Sequence, residues 1–280
     1  MHLDPSKKAS FNCFSCTNGS AQELLQSIQM YNQINPSPYP IDFKVAQGIL
    51  DAEDLEVIPL PAYSEFHPGT VTPFQAWPEY WISSFLSVSE MPEAYSYLQG
   101  RNVPEEMWAE RELRYDFSKR MIVFPYRNIN GELAGARGRA IDAGVLRNFH
   151  DYRWNGVNNA KSVWYNEQCL QTMKPVVVVE GQFDAMRVLE RYDTVVAMLT
   201  AKPTPEKLLK LSYAPKIILI PDNDGPGGAG ENTQEFFQEF CLPNKIPLEV
   251  CNLPMPTGAD KIDPGDCHPD FLYELIQPFI

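Results

Sequence analysis

No run of about eighteen apolar residues exists in the 280-residue chain, so a hydrocarbon-spanning helix is not expected. The first residues lack the basic, apolar and small-residue order of a secretory leader, and the expected location is the cytoplasm. Basic charge is also scarce: 23 Lys and Arg stand against 36 Asp and Glu, a net charge of −13. That argues against a body coated in positive surface, although a local groove can be basic on an acidic protein. Six cysteines are too few for a disulfide scaffold at this length, and Cys169, Cys241, Cys251 and Cys267 read as free thiols. No Gly-x-x-x-x-Gly-Lys-Ser/Thr loop occurs, which excludes a Walker-type nucleotide motor.

What is present centres on Val176-Val177-Val178-Val179-Glu180-Gly181-Gln182-Phe183-Asp184. Four β-branched residues predict a short strand buried on both faces, and it ends in a carboxylate. Gly181 frees the backbone to turn, and Phe183, Met186 and Leu189 follow at helical spacing, so Glu180 is expected at the carboxyl end of a parallel strand. Ligands of open α/β sheets bind at that edge. A second unit has the same form, with Ile217 to Ile220 followed by Pro221-Asp222-Asn223-Asp224-Gly225-Pro226-Gly227. If the strand continues through them, Asp222 and Asp224 face the same way and offer two hard oxygen ligands. Thr194 to Leu199 reads as a middle strand, and Thr204-Pro205-Glu206 as a capped helix start. A helix at about Glu231 to Phe240 and a strand near Leu248 to Leu253 complete an alternation that predicts a parallel sheet with helices on both faces.

Glu-Gly at one strand end and Asp-x-Asp-x-x-Gly at a later one resemble the Toprim domain of bacterial-type primases, type IA and II topoisomerases and some nucleases. A further block narrows the likeness. Tyr97-Leu98-Gln99-Gly100-Arg101 precedes Arg120-Met121-Ile122-Val123-Phe124-Pro125 and Gly135-Ala136-Arg137-Gly138-Arg139. Met121 to Phe124 and Leu133 to Ala136 read as strands joined by Asn130-Gly131, a favoured type I′ turn. These stretches are similar to the N-terminal subdomain of DnaG-type primases, which Toprim topoisomerases lack. From Lys119 to Lys161 the charge balance reverses, with eight basic residues against three acidic ones, which marks a candidate phosphate-facing surface. A solvated basic face without a ligand is the alternative.

At the N-terminus, His2, Cys13 and Cys16 offer three ligands suited to tetrahedral zinc, one short of a structural site. The segment is similar to the second half of the primase zinc ribbon, whose first cysteine would then lie upstream of Met1. Two reduced cysteines in an arm are the other reading. Residues 33 to 80 are proline-rich, with one plausible helix from about Ile41 to Leu50. There Trp77, Tyr80, Trp81 and Phe85 are able to stack on bases or to form a small core. Near the C-terminus, Asp263-Pro264-Gly265-Asp266 is similar to the Asp-Pro-Asp stretch that closes the primase Toprim domain. Gly265 stands where the second acid is usual, so Asp263 is the better metal candidate and an ordinary Asp-Pro turn the alternative.

The resemblance implies an α/β fold: a Toprim-type parallel sheet flanked by helices, preceded by a mixed α+β primase subdomain and a partial zinc ribbon. Expected boundaries are 1–30 for the ribbon, 31–85 for a proline-rich linker, 86–168 for the primase subdomain, 169–256 for Toprim and 257–280 for a tail. It implies a DNA primase that makes short RNA primers on single-stranded DNA in the cytoplasm, the host's if the chain is phage-encoded. Asp222 and Asp224 would hold Mg²⁺ or Mn²⁺, Glu180 would be a further ligand or the proton acceptor for the 3′-hydroxyl, and Asp184 would support them. Arg120, Arg137 and Arg139 would hold nucleotide or template, and His2, Cys13 and Cys16 an incomplete Zn²⁺ site. The implied partners are single-stranded DNA, ribonucleoside triphosphates and a replicative helicase, with no membrane. Rival readings are a non-catalytic single-strand-binding accessory and a Toprim nuclease.

Overall fold

The computed structural model describes residues 10–12, 18–20, 74–142, 149–200 and 202–280. The chain divides into two units, Met1–Ala62 and Tyr63–Ile280. In the first, strands β1 (Ser10–Asn12) and β2 (Asn18–Ser20) pair antiparallel, with Phe11 opposite Gly19. The strands flank the Cys13 and Cys16 knuckle in sequence, but His2, Cys13 and Cys16 themselves lie outside the described residues, as does the helix expected at Ile41 to Leu50.

The second unit holds two sheets. The first is antiparallel, in the order β3 (Leu86–Ser87), β4 (Arg114–Asp116), β5 (Met121–Arg127), β6 (Leu133–Ala140) and β7 (Phe149–Asp151). Its helices are α1 (Glu79–Ser83), α2 (Pro92–Gly100) and α3 (Glu105–Glu110). Strand β5 is buried from Met121 to Tyr126, whereas β6 runs beyond its apolar start with half-buried Arg137 and Arg139 alternating with buried Gly138 and Ala140. Their connection is not the expected type I′ turn. Gly131 alone has positive φ, +85°, and its N–H bonds to the Asn128 carbonyl at 2.9 Å. Asn128 Oδ1 accepts from the N–H groups of Asn130 and Glu132 at 3.0 and 2.9 Å, which holds a three-residue loop of type I turn followed by a left-handed glycine.

The second sheet is wholly parallel, ordered β11 (Leu248–Val250), β10 (Ile217–Leu219), β8 (Val176–Val179) and β9 (Val195–Ala197). Strand β8 has a neighbour on each side and all four valines are buried, as the β-branched run demands. Strand β9, the middle one in sequence, sits at the sheet's edge. Helices α4 (Gln182–Leu189), α5 (Pro205–Lys210), α6 (Ala229–Cys241) and α7 (Pro269–Ile276) cover this sheet. Thr204 caps α5 as its sequence predicts, its hydroxyl oxygen accepting from the Lys207 N–H.

One hydrophobic cluster joins the sheets. Tyr115, Ile122 and Phe124 of the antiparallel sheet share it with Val177, Val179 and Ile218 of the parallel one, and the Phe124 and Phe183 rings meet edge to face at 5.1 Å. A smaller cluster takes in Trp77, Trp81, Phe85 and Tyr152, with ring centroids 4.6 to 5.5 Å apart. These aromatics are therefore core, and only Tyr80 of the expected stacking group is well exposed. Among the described residues, no helix is long and apolar enough to cross a membrane.

Candidate functional site

A cleft of about 520 Å³ lies where the two sheets meet. One side presents Glu180, Asp184, Asp222 and Asp263 from the parallel sheet's connections, and the other presents Arg101, Arg137 and Arg139. Glu180 directly follows β8 and Asp222 follows β10, so both acids project from the carboxyl edge expected to bind ligands.

Glu180 is held in part by the Thr233 hydroxyl, which donates to its Oε1 at 3.3 Å. Burial pushes its pKa up and the neighbouring Asp222 charge adds to the rise. Asp184, in the first turn of α4, is buried and has both oxygens occupied by backbone donors. The Gly181 N–H reaches Oδ2 at 2.7 Å and the Gly265 N–H reaches Oδ1 at 3.0 Å. Burial, then the charges of Asp263 and Asp222, raise it to about 8.

Asp222 is set by a two-residue bridge rather than by a continuing strand. Strand β10 ends at Leu219, Pro221 interrupts it, and Asn223 then exchanges two backbone hydrogen bonds of 2.8 Å with Ile262. Residues flanking such a pair share a face, so Asp222, Asp224, Lys261 and Asp263 emerge on the same side. The Asp222 side chain is only 10 % exposed; its Oδ2 accepts from Lys261 Nζ at 2.6 Å and its Oδ1 is buried with no partner. Burial raises its pKa against the opposing pull of Lys261. Asp263, also raised by burial, accepts from the Asp266 N–H at 3.1 Å. Asp266 itself is exposed and does not line the cleft.

The Asp224 carboxylate turns from that side toward the start of α6. Its Oδ2 accepts from the Ala229 N–H at 2.9 Å and its Oδ1 from the Gly230 N–H at 3.2 Å, at the start of α6. Burial acts to raise its pKa, but these backbone donors outweigh it and the carboxyl lies below its usual range. Asp224 does not line the cleft.

The three arginines expected to grip phosphate separate as well. Arg139, half-buried on the cleft wall, has no acidic partner among the described residues. Arg137 lines the cleft with its guanidinium on Asp151 at 2.6 and 3.0 Å and its Cζ 5.1 Å from the Phe149 ring centroid. Arg120 lies outside the cleft, held by Asp142 at 2.8 and 3.0 Å and by Glu93. Three cations that sequence reasoning gave no role also line the cleft, one of them Arg187, paired with Glu190 at 2.8 Å. Arg101 rests over the Tyr97 and Phe183 rings at 5.8 and 5.3 Å, and Lys261 meets Asp222. The signal for Lys261 was its place two residues before Asp263, on the same face of an extended segment.

Among the described residues, no group of three His, Cys, Asp or Glu side chains is arranged to hold a metal ion. The donor set still suits Mg²⁺ or Mn²⁺. Mg²⁺ takes one or two carboxylates and keeps several waters, and Asp222 offers a buried carboxylate oxygen with no partner, beside a crowded Glu180.

No protein-family model matches the sequence, and no curated protein matches it. Solved structures do match. A DnaG primase catalytic domain bound to single-stranded DNA is 16 % identical, with a TM-score of 0.58 over 71 % of this chain and 76 % of that one. A DNA primase domain from Pseudomonas aeruginosa is 18 % identical, with a TM-score of 0.58 over 71 % and 76 % of the two chains. The zinc-binding and RNA polymerase domains of Aquifex aeolicus primase are 17 % identical and give 0.61 over 99 % and 74 %. An antiparallel sheet leading into a parallel one, with acids at the latter's carboxyl edge, is thus the fold of the DnaG primase catalytic core.

Proposed function

We propose that this chain is a DNA primase of the DnaG type, joining ribonucleotides into short primers on single-stranded DNA. The observation that carries this reading is the opposition, across one cleft, of Glu180 and Asp222 to Arg139, which has no acidic partner among the described residues. Nucleotidyl transfer builds negative charge on the α-phosphate and the leaving pyrophosphate, and a site for it needs cations facing carboxylates. The primase catalytic cores that share the fold, one of them bound to single-stranded DNA, support the same substrate class.

In this reading Asp222 and Glu180 would hold the divalent ion, with Asp224 as a further ligand. Mg²⁺ or Mn²⁺ would supply charge neutralisation for the phosphates and orientation of the attacking 3′-hydroxyl. Glu180, its pKa raised by burial, would accept the proton from that hydroxyl. Arg139 and Arg101 bind phosphate from the opposite wall, where a guanidinium fork matches paired oxygens. Asp184 keeps the α4 turn and the Gly265 turn together beneath the acids.

The test is primer synthesis. The protein is incubated with single-stranded DNA, labelled ribonucleotides and Mg²⁺ or Mn²⁺, alongside Asp222→Ala. Metal-dependent oligoribonucleotides from the native protein and none from the variant are expected. Shortened DNA would indicate a nuclease, and DNA binding without product a non-catalytic accessory.

A further inference from the structure

Lys261 occupies an unusual position for a cation in a metal-dependent site. Its Nζ lies 2.6 Å from Asp222 Oδ2, the carboxylate with the buried, unpartnered second oxygen. The charges that act on it are Asp222, Asp263 and Glu180, so the ammonium sits among the acids of the cleft rather than beside one of them. Its placement is not accidental to a floppy side chain, because the Asn223–Ile262 bridge fixes the neighbouring backbone of both partners. Yet the side chain is 51 % exposed, so it can swing away without disturbing the core.

A divalent ion and an ammonium compete for the same carboxylate. From this we infer that Lys261 is a built-in counter-ion, so that metal binding at Asp222 is an exchange in which the ammonium leaves the carboxylate. The inference rests on the metal-dependent reading of the cleft and adds to it a specific residue that sets metal affinity.

Mn²⁺ binding to the full chain, followed by electron paramagnetic resonance of the free ion, tests this without reference to catalysis. Lys261→Met keeps the length of the side chain and removes its charge. It should bind Mn²⁺ about tenfold more tightly than the native protein, since one positive charge in contact with the ligand has been removed. Lys261→Arg, which retains the charge, should stay close to native. A merely structural role for Lys261 would weaken binding in the Met variant. Equal or weaker Mn²⁺ affinity in Lys261→Met, with Asp222→Asn abolishing binding, overturns the counter-ion inference alone. No Mn²⁺ binding by the native protein or by Lys261→Met overturns the inference together with the metal-dependent reading.

Discussion

Asp184 accepts one backbone hydrogen bond from Gly181 and another from Gly265, at 2.7 and 3.0 Å, and so ties two turns that lie far apart in sequence. The carboxylate is a strut beneath the acids. Removing it strands two buried donors, each costing about 1 to 3 kcal/mol. Asp184→Ala should therefore lower stability by about 2 to 6 kcal/mol in urea unfolding. Asp184→Asn keeps one of the two acceptors and should cost about half as much. Equal losses in the two variants would show that the strut is not what holds the turns.

Arg139 and Arg120 differ in what they are free to do. Arg139 should be worth about 1 to 3 kcal/mol of binding as a phosphate contact, so Arg139→Ala should weaken affinity for a labelled single-stranded oligonucleotide by about tenfold or more in fluorescence anisotropy. Arg120 is committed to Asp142 and Glu93. Arg120→Ala should leave that affinity within about twofold and barely move the melting temperature, since exposed ion pairs contribute little to stability.

Asp116 governs acid sensitivity away from the cleft. Burial acts to raise its pKa, but hydrogen bonds from Ser118, Tyr152 and Lys119 overcome it and hold the carboxyl at about 2. A depressed folded-state pKa means the unfolded chain binds the proton more readily. The contribution is present above pH of about 4 and is lost as pH falls toward about 2, for a total of about 1 to 2 kcal/mol. Melting temperatures measured across that window should fall more steeply for the native protein than for Asp116→Asn.

Gly230, in the first turn of α6, sits against the Asp222 main chain. A Cβ there would meet the Asp222 carbonyl oxygen at 1.8 Å, so the backbone must shift. Gly230→Ala should cost about 1 to 3 kcal/mol and weaken Mn²⁺ binding by moving Asp222. A thermal melt and the Mn²⁺ titration read the two effects separately.

Much of this site was legible because local rules agreed with the fold. The Val176 to Val179 run, closed by Glu180 and Gly181, could only be a buried strand with a carboxylate at its end, and Thr204-Pro205 could hardly be other than a helix start. Alternation carried past the end of β10 puts Asp222 and Asp224 on one side, as the structure does, but the Ala229 and Gly230 N–H groups draw the Asp224 carboxylate toward the start of α6. The pairing that takes over, Asn223 with Ile262, joins residues remote in sequence and leaves no local trace. Asn130-Gly131 signalled a turn correctly but not its type, since the Asn128 side chain decided the loop length. Arg120 and Arg139 look equivalent in sequence. Only the positions of Glu93 and Asp142 separate them.

Because Phe124 and Phe183 belong to one continuous core, the opposing banks of the cleft are two faces of a single solid. Spreading them would mean prising apart that aromatic contact and the valines behind it. The gap therefore works as a fixed gauge, and whatever enters is selected by its calibre instead of being grasped by a jaw.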